Sequence, residues 1–283
     1  MPLKAQNRLI FEFSTQMEQR YEKFAKKGLE RHLKPQEIEN LPKKWNKMEK
    51  LKRAFEQLNI PSDENLTEKF RLYMEKILEW NEHINLTAIT DKDEFVDKHF
   101  VDSILSYGRA EIENAKTVID IGTGAGFPGI PLALVYPDKK FVLADSLNKR
   151  LKVIDQLCKE IGILNVELVH ARAEELGKNK AHREKYDLCV SRAVANFATL
   201  SEYCLPLVKK DGFFMAYKGP DAEREIEESG KAVSLLGGKV TEIFTPKLSN
   251  LDFSHNLVMV RKIKNTPAKF PRKAGTPAKE PLK

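Results

Sequence analysis

Several features are scarce in this chain of 283 residues, and each scarcity excludes a class of protein. No apolar run approaches the roughly 18 residues that a membrane-spanning helix needs, so we expect no membrane segment. The three cysteines, Cys158, Cys189 and Cys204, are odd in number and lack metal-ligand spacing, which suits buried thiols in a reducing cytoplasm. The six histidines are scattered and form no zinc-binding set. We therefore expect a cytoplasmic protein without a bound metal.

The positive charge of the chain is concentrated at its two ends. Residues 1–60 carry 14 Lys or Arg and 8 Asp or Glu, and residues 261–283 carry 8 and 1. The residues between them carry 26 basic and 32 acidic side chains, so the body of the chain is mildly acidic. Basic terminal segments are typical of proteins that bind nucleic acid, although a contribution to solubility alone would also account for them.

The stretch of residues 117–146 reads TVIDIGTGAGFPGIPLALVYPDKKFVLADS and has the pattern of a nucleotide-binding unit. Its β-branched run 118–121 predicts a buried strand, and the following segments predict a helix and a second strand that ends at Asp145. A carboxylate in that position can accept hydrogen bonds from ribose hydroxyls. Between the first strand and the helix lie four glycines, which let bare backbone approach a ligand: Gly122, Gly124, Gly126 and Gly129.

Two prolines at the start of that helix, Pro128 and Pro131, narrow the choice of nucleotide. Each removes a backbone N–H from the first helical turn, where a pyrophosphate would need donors. The pattern therefore favours S-adenosylmethionine (SAM), which carries an adenosine but no phosphate, over NAD. A phosphate-binding loop is excluded because no GK[ST] follows the glycines. An ordinary tight turn without a ligand remains the alternative to a nucleotide site.

The rest of the chain divides into four predicted parts. Residues 1–47 are lysine-rich and weakly patterned, which suggests a basic N-terminal extension, and a start at Met48 remains an open alternative. Residues 48–110 predict a helical cap whose aromatic stripes belong to the core. Residues 111–263 alternate strands and helices, as an α/β domain does. Residues 264–283 are a basic, proline-rich tail that we expect to be extended and mobile.

The α/β part contains seven predicted strands. We predict a binding site at the carboxyl ends of five of them, because open sheets bind ligands there. The strands are 118–121, 141–144, 166–170, 186–190, 212–217, 240–244 and 257–263, with a helix predicted at 200–208. The residues at these five strand ends are 122–127, Asp145 with Ser146, 172–174, Ser191 with Arg192, and Lys218 with Gly219.

Arg192 is the most informative of these residues, because an arginine directly after a buried strand needs a partner. That partner is either a ligand or RNA, or a structural carboxylate such as Asp120. His99 and Asp102, three residues apart, can share one face of a helix, either as a packing pair or as a functional one.

Seven segments follow one another along the chain: EWNEHINLTAI (79–89), HFVDSIL (99–105), DIGTGAGFPGIPLA (120–133), ADSLNKR (144–150), RAEEL (172–176), SRAVA (191–195) and CLPLVKKDG (204–212). Together they resemble the RsmG (GidB) family of bacterial small-subunit ribosomal RNA methyltransferases, and the basic tail is similar as well. The resemblance runs from about Met48 to the C-terminus, and residues 1–47 fall outside it.

The resemblance implies a class I SAM-dependent methyltransferase fold. In such a Rossmann-like α/β fold, a seven-stranded, mostly parallel sheet has helices on both faces, here with an N-terminal helical cap. The implied reaction is N7 methylation of one guanine in the 530 loop of 16S rRNA. The implied partner is 16S rRNA or the small ribosomal subunit, and we expect the protein to be a monomer.

The predicted site residues have two sources. By position, the resemblance implies SAM contacts at Gly122, Phe127, Ala173, Glu174 and Arg192. The strand ends add Gly124, Gly126, Asp145 and Ser146 as cofactor-binding candidates. Candidate contacts to the guanine or to phosphate are Arg172, Arg192 and Lys218.

The implied chemistry agrees with the absence of a catalytic motif. Guanine N7 has a free lone pair and bears no proton, so its attack on the SAM methyl group needs no general base. Neither a catalytic dyad nor an Asn-Pro-Pro-Tyr motif of amino-group methyltransferases is present, which suggests catalysis by proximity and alignment.

Three alternatives remain open. An NAD(P)-dependent oxidoreductase could use a similar sheet, but the sequence lacks a catalytic Tyr/Lys pattern. A non-catalytic ribosome-binding factor could retain the fold, although the intact glycine loop argues against a decayed cofactor site. A small-molecule methyltransferase would leave the basic ends without a purpose.

Overall fold

A computed structural model describes residues 48–248 and 255–282, and a seven-stranded sheet forms its centre. The predicted extension, residues 1–47, lies outside the described residues. The strands are β1 (Thr117–Ile121), β2 (Lys140–Asp145), β3 (Val166–His170), β4 (Tyr186–Arg192), β5 (Val208–Lys218), β6 (Gly238–Phe244) and β7 (Asn256–Lys262). All seven predicted strands are present, and the largest difference is the earlier start of β5.

The strand order β3-β2-β1-β4-β5-β7-β6 matches the predicted mostly parallel sheet. Strands β1 to β5 pair in parallel, and β7 runs antiparallel to both of its neighbours. The chain builds outward from β1 to β3 and then continues on the other side of β1 with β4. The order therefore reverses between β1 and β4, which is where open α/β sheets bind ligands at the carboxyl edge.

Short and long helices surround the sheet. They are α1 (Glu49–Gln57), α2 (Glu64–Asn81), α3 (Lys92–Phe95), α4 (Asp102–Ile104), α5 (Ala110–Glu113), α6 (Gly129–Val135), α7 (Asn148–Ile161), α8 (Ala173–Leu176), α9 (Phe197–Cys204), α10 (Ala222–Leu235) and α11 (Thr276–Lys279). A π-helical segment, Val96–Val101, joins α3 to α4.

Helix α9 corrects the predicted helix at 200–208. It begins earlier because the Asn196 side chain accepts a hydrogen bond from the backbone N–H of Thr199 and so caps its start. It ends at Cys204, and a 3₁₀ turn, Leu205–Leu207, leads directly into β5. The proline within that turn cannot donate to a continuing helix, which is why the helix stops there.

Side chains of each strand alternate between the two faces of the sheet, and both faces are covered. In β1, Val118 belongs to one hydrophobic cluster, whereas Ile119 and Ile121 belong to the other. The first cluster contains aromatic side chains of the helical region before the sheet, and Phe70 and Tyr73 in it are fully buried. The second contains side chains of α9 and α10. The aromatic stripes are therefore core, as predicted.

The C-terminal tail packs against the domain, which corrects the prediction of an extended, mobile arm. Arg183 donates hydrogen bonds to the backbone carbonyls of Thr266 (2.6 Å) and Phe270 (2.8 Å), and the Phe270 side chain is buried. Arg272 forms an ion pair with the fully buried Glu202 carboxylate at 2.7 Å. The partners lie 70 to 87 residues earlier in the chain, so the local composition of the tail could not reveal them.

Candidate cofactor-binding site

A cavity of about 440 Å³ opens at the carboxyl edge of the sheet. Its lining comes from the ends of β1 and β2, the start of α8, the loop after β4 and the C-terminal tail. Six predicted site residues line it: Gly122, Asp145, Ser146, Arg172, Ala173 and Glu174. The other predicted residues lie outside its lining: Gly124, Gly126, Phe127, Arg192 and Lys218. The cavity thus brings together three of the five predicted strand-end segments, represented by Gly122, Asp145 with Ser146, and Arg172 to Glu174. Residues 193–195, which directly follow the fourth segment, also line it, but Ser191 and Arg192 do not.

The glycine loop between β1 and α6 has a left-handed backbone at Gly122 (φ 72°), Gly124 (φ 59°) and Gly126 (φ 88°). A Cβ at Gly126 would lie 2.3 Å from the Tyr73 hydroxyl oxygen, so a side chain there would collide with the helical cap. A Cβ at Gly124 would meet no atom closer than 4.0 Å. The sequence therefore needs glycine at 126 for space and backbone, and at 124 for backbone conformation alone.

The Asp120 carboxylate holds this loop from inside the protein. Its Oδ2 accepts hydrogen bonds from the Thr123 hydroxyl (2.7 Å) and from the backbone N–H of Gly129 (2.9 Å), while its Oδ1 is buried without a partner. Burial raises the pKa of Asp120 to about 6. Asp120 is thus a structural residue of the loop and is not the partner of Arg192.

The backbone N–H groups at the start of α6 already have partners within the protein. Gly129 donates to Asp120, Ile130 donates to the Gly126 carbonyl (2.7 Å), and Leu132 donates to the Pro128 carbonyl (3.2 Å). Pro131 has no N–H to donate. A pyrophosphate would therefore find no spare donors in this helical turn, in agreement with the sequence argument against NAD.

The Asp145 carboxylate lines the cavity and retains accepting capacity. Its Oδ2 accepts from the Gly124 N–H (2.9 Å) and its Oδ1 from the Leu147 N–H (2.8 Å). The Arg150 guanidinium lies 3.9 Å from Oδ2. Each carboxylate oxygen has a further lone pair, so Asp145 can also accept from the hydroxyls of a ribose.

The region predicted to surround an adenine lies at the start of α8. Glu174 is only 5% exposed, and its Oε1 accepts a hydrogen bond from the backbone N–H of Gly275 in the tail (2.8 Å). Arg172, just before the helix, is exposed. The sequence did not predict that Gly275 and Ala278 of the tail would line the same cavity. They lie about a hundred residues after Glu174, and neither carries a local signal of ligand binding.

Arg192 lies in a different environment, a cluster of side chains between β4 and the helical cap. Its Nη1 contacts Asp102 Oδ2 at 2.5 Å and donates to the Lys98 carbonyl at 2.8 Å. Its Nη2 lies 3.2 Å from Nδ1 of His99. Only 10% of the Arg192 side chain is exposed. Its carboxylate partner is therefore Asp102 and not Asp120, the residue that the sequence had suggested.

His99 and Asp102 both belong to this cluster. The His99 ring stacks on Phe127 of the glycine loop, with centroids 4.4 Å apart, and its Nε2 lies 2.7 Å from the Thr87 hydroxyl. Burial and the neighbouring Arg192 lower the pKa of His99 to about 3. The neutral ring then accepts from Arg192 at Nδ1 and donates from Nε2 to Thr87.

The Asp102 carboxylate is completely buried and is satisfied from two sides. Its second oxygen, Oδ1, lies 2.5 Å from Nδ1 of His255, which the sequence did not nominate. Burial alone would raise the pKa of Asp102, but the hydrogen bond from His255 and the charge of Arg192 outweigh it and hold the pKa below its ordinary value. Asp102 is thus a carboxylate anchor for Arg192.

Lys218 also has its partners within the protein. It forms an ion pair with Glu225 at 2.7 Å, donates to the Ala195 carbonyl at 3.1 Å, and is 11% exposed. Of the three candidate substrate contacts, only Arg172 therefore presents an exposed side chain at the cavity.

No helix in residues 48–248 or 255–282 is both long and apolar enough to span a bilayer. Within the same ranges, no three His, Cys, Asp or Glu side chains are grouped so that they could hold a metal ion.

Comparison with known proteins gives one consistent family. The family model described as rRNA small subunit methyltransferase G matches residues 66–263. A protein from Clostridium novyi (strain NT) named Ribosomal RNA small subunit methyltransferase G is 48% identical over 229 residues, which cover 81% of this chain and 94% of that one. The protein of the same name from Clostridium perfringens (strain 13 / Type A) is 47% identical over 233 residues, covering 82% and 98%.

Solved structures resemble the chain more distantly. An rRNA methylase from Streptococcus thermophilus matches with a TM-score of 0.41 at 19% sequence identity, over 59% of this chain and 97% of that one. NSun6 from Pyrococcus horikoshii matches with a TM-score of 0.46 at 16% identity, over 64% of this chain and 57% of that one.

Proposed function

We propose that this chain, which belongs to the rRNA small subunit methyltransferase G family, is a SAM-dependent methyltransferase of small-subunit ribosomal RNA. The family model and the curated relatives span most of the chain, and the relatives are covered almost completely. The basic tail suits an RNA substrate. We expect the protein to act as a monomer in the cytoplasm, since its three cysteines suit a reducing compartment.

One observation carries the choice of cofactor. The cavity presents the Asp145 carboxylate, which can accept from a ribose, beside a helix start whose N–H groups are already used. This combination fits a nucleoside without phosphate. Asp145 would hold the ribose, Ala173 and Glu174 would border the adenine, and the backbone at Gly122 would approach the rest of the molecule. When bound, SAM supplies an electrophilic methyl group on its sulfonium sulfur.

We further propose that the methyl acceptor is N7 of a guanine in the 530 loop of 16S rRNA, as the family implies. Guanine N7 carries a lone pair and no proton, so no side chain has to remove a proton. The contribution of the protein is then positioning, which can account for about 7–11 kcal/mol of a reaction barrier. Arg172 is the residue best exposed to contact the guanine or a phosphate.

The test is methyl transfer from labelled SAM to small-subunit rRNA, offered both as naked RNA and as assembled subunits. Borohydride reduction followed by aniline cleavage then locates any N7-methylguanine. We expect a single cut in the 530 loop. Label at another position would support methyltransferase activity but contradict the proposed target nucleotide. No label on either substrate would instead favour a non-catalytic ribosome-binding factor that keeps the fold.

A second measurement separates this proposal from an NAD(P)-dependent oxidoreductase. We expect SAM to raise the melting temperature of the protein and NAD to leave it unchanged, because a ligand that binds only the folded state stabilises it. A shift with NAD alone would contradict the assignment of the cavity.

A further inference from the structure

The C-terminal tail contributes part of the cavity lining. Gly275 and Ala278 line the cavity together with Ala173 and Glu174, although they lie near the other end of the domain in sequence. Gly275 has a left-handed backbone (φ 83°), and a Cβ built there would meet no atom within 4 Å. Glycine is therefore required by the turn that leads into α11 and not by lack of space. This turn directs the chain along the cavity.

Two hydrogen bonds hold this part of the tail against the domain. The Gly275 N–H donates to Glu174 Oε1 at 2.8 Å. Two residues later, the carbonyl of Pro277 accepts from the hydroxyl of Thr199 at 2.9 Å. Glu174 and Thr199 are 5% and 1% exposed, so both bonds are shielded from water. They hold the two residues Gly275 and Pro277, which precede Ala278, and so define its position at the cavity.

Contacts away from the cavity dock the preceding part of the tail. The Arg272 guanidinium contacts both oxygens of Glu202, and its backbone N–H also donates to Glu202 (2.7 Å). Arg183 holds the carbonyls of Thr266 and Phe270. Since Glu202 is fully buried, its charge depends on Arg272 for compensation. The tail is therefore an integral part of the domain up to residue 272, before it reaches the cavity.

The outward side of the same segment is basic. Lys273 and Lys279 are exposed on either side of the residues that line the cavity. The tail thus has an inner side that borders the cavity and an outer side that could meet RNA. These two roles can be separated experimentally, because the lysines are not among the residues that line the cavity.

We infer that residues 275–278 form a wall of the cofactor site, and that SAM binds tightly only when this wall is docked through Glu174 and Thr199. The inference rests on the proposed function, since it assumes that the cavity holds SAM. By thermodynamic linkage, if docking of the tail strengthens SAM binding, bound SAM must stabilise the docked tail to the same extent.

The test is calorimetric titration of SAM into the full-length protein without RNA, so that phosphate contacts cannot contribute. A truncation after Arg272, which removes residues 273–283, should weaken SAM binding about 10- to 100-fold, within the usual range of coupling between sites. The double variant Lys273→Ala, Lys279→Ala removes the charges but keeps the wall, and should bind SAM like the wild type. A wild-type dissociation constant for the folded truncation would overturn the inference.

A milder pair of variants decides the matter if the truncation does not fold. Thr199→Val removes the hydroxyl that holds Pro277 and should weaken SAM binding about three- to tenfold, the effect of one hydrogen bond. Ser201→Ala is the matched control, because this buried hydroxyl in the same helix donates to the Phe197 carbonyl inside the helix. Equal dissociation constants for the two variants would contradict the inference.

Limited trypsin digestion provides a readout of the reverse coupling. Saturating SAM should slow cleavage after the exposed Lys273 at least several-fold, and unchanged cleavage in the presence of bound SAM would oppose the inference. If the wild-type protein binds no SAM at all, the proposed function fails, and this outcome is distinct from a tail variant that binds normally.

Discussion

The two sides of the carboxyl edge of the sheet use charged residues in opposite ways. On the open side, defined by Gly122, Asp145 and the start of α8, the Asp145 carboxylate borders a cavity and can accept further hydrogen bonds. On the closed side, defined by Arg192, Asp102 and the residues around them, charges neutralise one another out of water. A charged residue at a strand end is therefore a candidate for ligand binding only if its partners within the protein leave it free hydrogen-bonding capacity.

The helical cap causes this difference. It supplies His99 and Asp102 to the closed side, where they take up the donors of Arg192, and Tyr73, whose hydroxyl donates to the Ala125 carbonyl of the glycine loop (2.7 Å). An arginine taken out of water in this way needs a carboxylate of its own. The cap thus fixes the loop and Arg192 in place. The cavity forms on the other side, where no residue of the cap belongs to its lining.

The largest predicted effect is the loss of stability that follows when the charge cluster of the closed side is disrupted. Asp102→Ala leaves Arg192 buried without its carboxylate and should lower the free energy of unfolding by about 3–5 kcal/mol. Urea denaturation measures this loss. Asp221→Ala is the control, because its pairing with Arg224 is exposed and long at 3.7 Å, and it should change stability by less than about 0.5 kcal/mol. A loss below about 1 kcal/mol for Asp102→Ala would show that the closed side is not held by this pair.

The next prediction concerns the open side. Asp145→Asn keeps the shape but offers one acceptor where the Gly124 and Leu147 N–H groups and a ribose require several. We expect the dissociation constant for SAM to rise about 10- to 100-fold, equivalent to roughly 1.4–2.8 kcal/mol. Calorimetry measures it, and Asp155→Asn, on the exposed surface of α7, should bind SAM normally. Normal binding by Asp145→Asn would remove the carboxylate from the cofactor site.

A pH prediction sharpens the account of the closed side. The pKa of His99 is lowered from 6.5 to about 3, so below pH 6.5 the unfolded chain takes up a proton that the folded protein does not. The free energy of unfolding therefore falls with decreasing pH over this window, and His99 contributes a loss of about 1.4 kcal/mol at pH 5.5. In His99→Gln, we expect the loss of unfolding free energy between pH 7.5 and pH 5.5 to be smaller by this amount than in the wild type.

Two comparisons isolate the contribution of His99. His83→Gln, which removes an exposed histidine, should leave the pH dependence unchanged. Asp120 acts with the opposite sign, because its raised pKa stabilises the folded protein as the pH falls through about 6, so the wild-type curve alone is not diagnostic. An identical pH dependence in His99→Gln and the wild type would contradict the neutral, buried histidine.

The smallest predicted effect concerns the outer side of the tail. Replacing Lys269, Lys273 and Lys279 with alanine should weaken RNA binding and reduce the slope of log affinity against log salt by up to about 0.7–0.9 for each phosphate that is no longer neutralised. Deleting the whole tail would be a poorer test, because it also removes buried anchors such as Phe270. Lys52→Ala, on the exposed face of α1, is the control. An unchanged salt slope in the triple variant would place the RNA-binding surface elsewhere.

The features that could be predicted from the sequence are those set by neighbouring residues. The strand before Gly122, the glycine-rich turn that follows it and the acidic end of β2 all follow from local patterns, and all are present. The partners of Arg192 and Arg272 could not be predicted, because Asp102 and Glu202 lie 90 and 70 residues away in the chain. Prolines in the tail suggested an extended arm, but Phe270 packs into the second core cluster.

The measurement that tests the comparison most directly is hydrogen–deuterium exchange with and without saturating SAM. We expect slower exchange at residue 122, at 145–147, at 173–174 and in the tail at 275–278, because these segments contribute residues to the cavity lining. Exchange at 98–102, on the closed side, should not change. Protection confined to the closed side, or protection of the cavity segments without the tail, would contradict an open cofactor site bounded by the C-terminal wall.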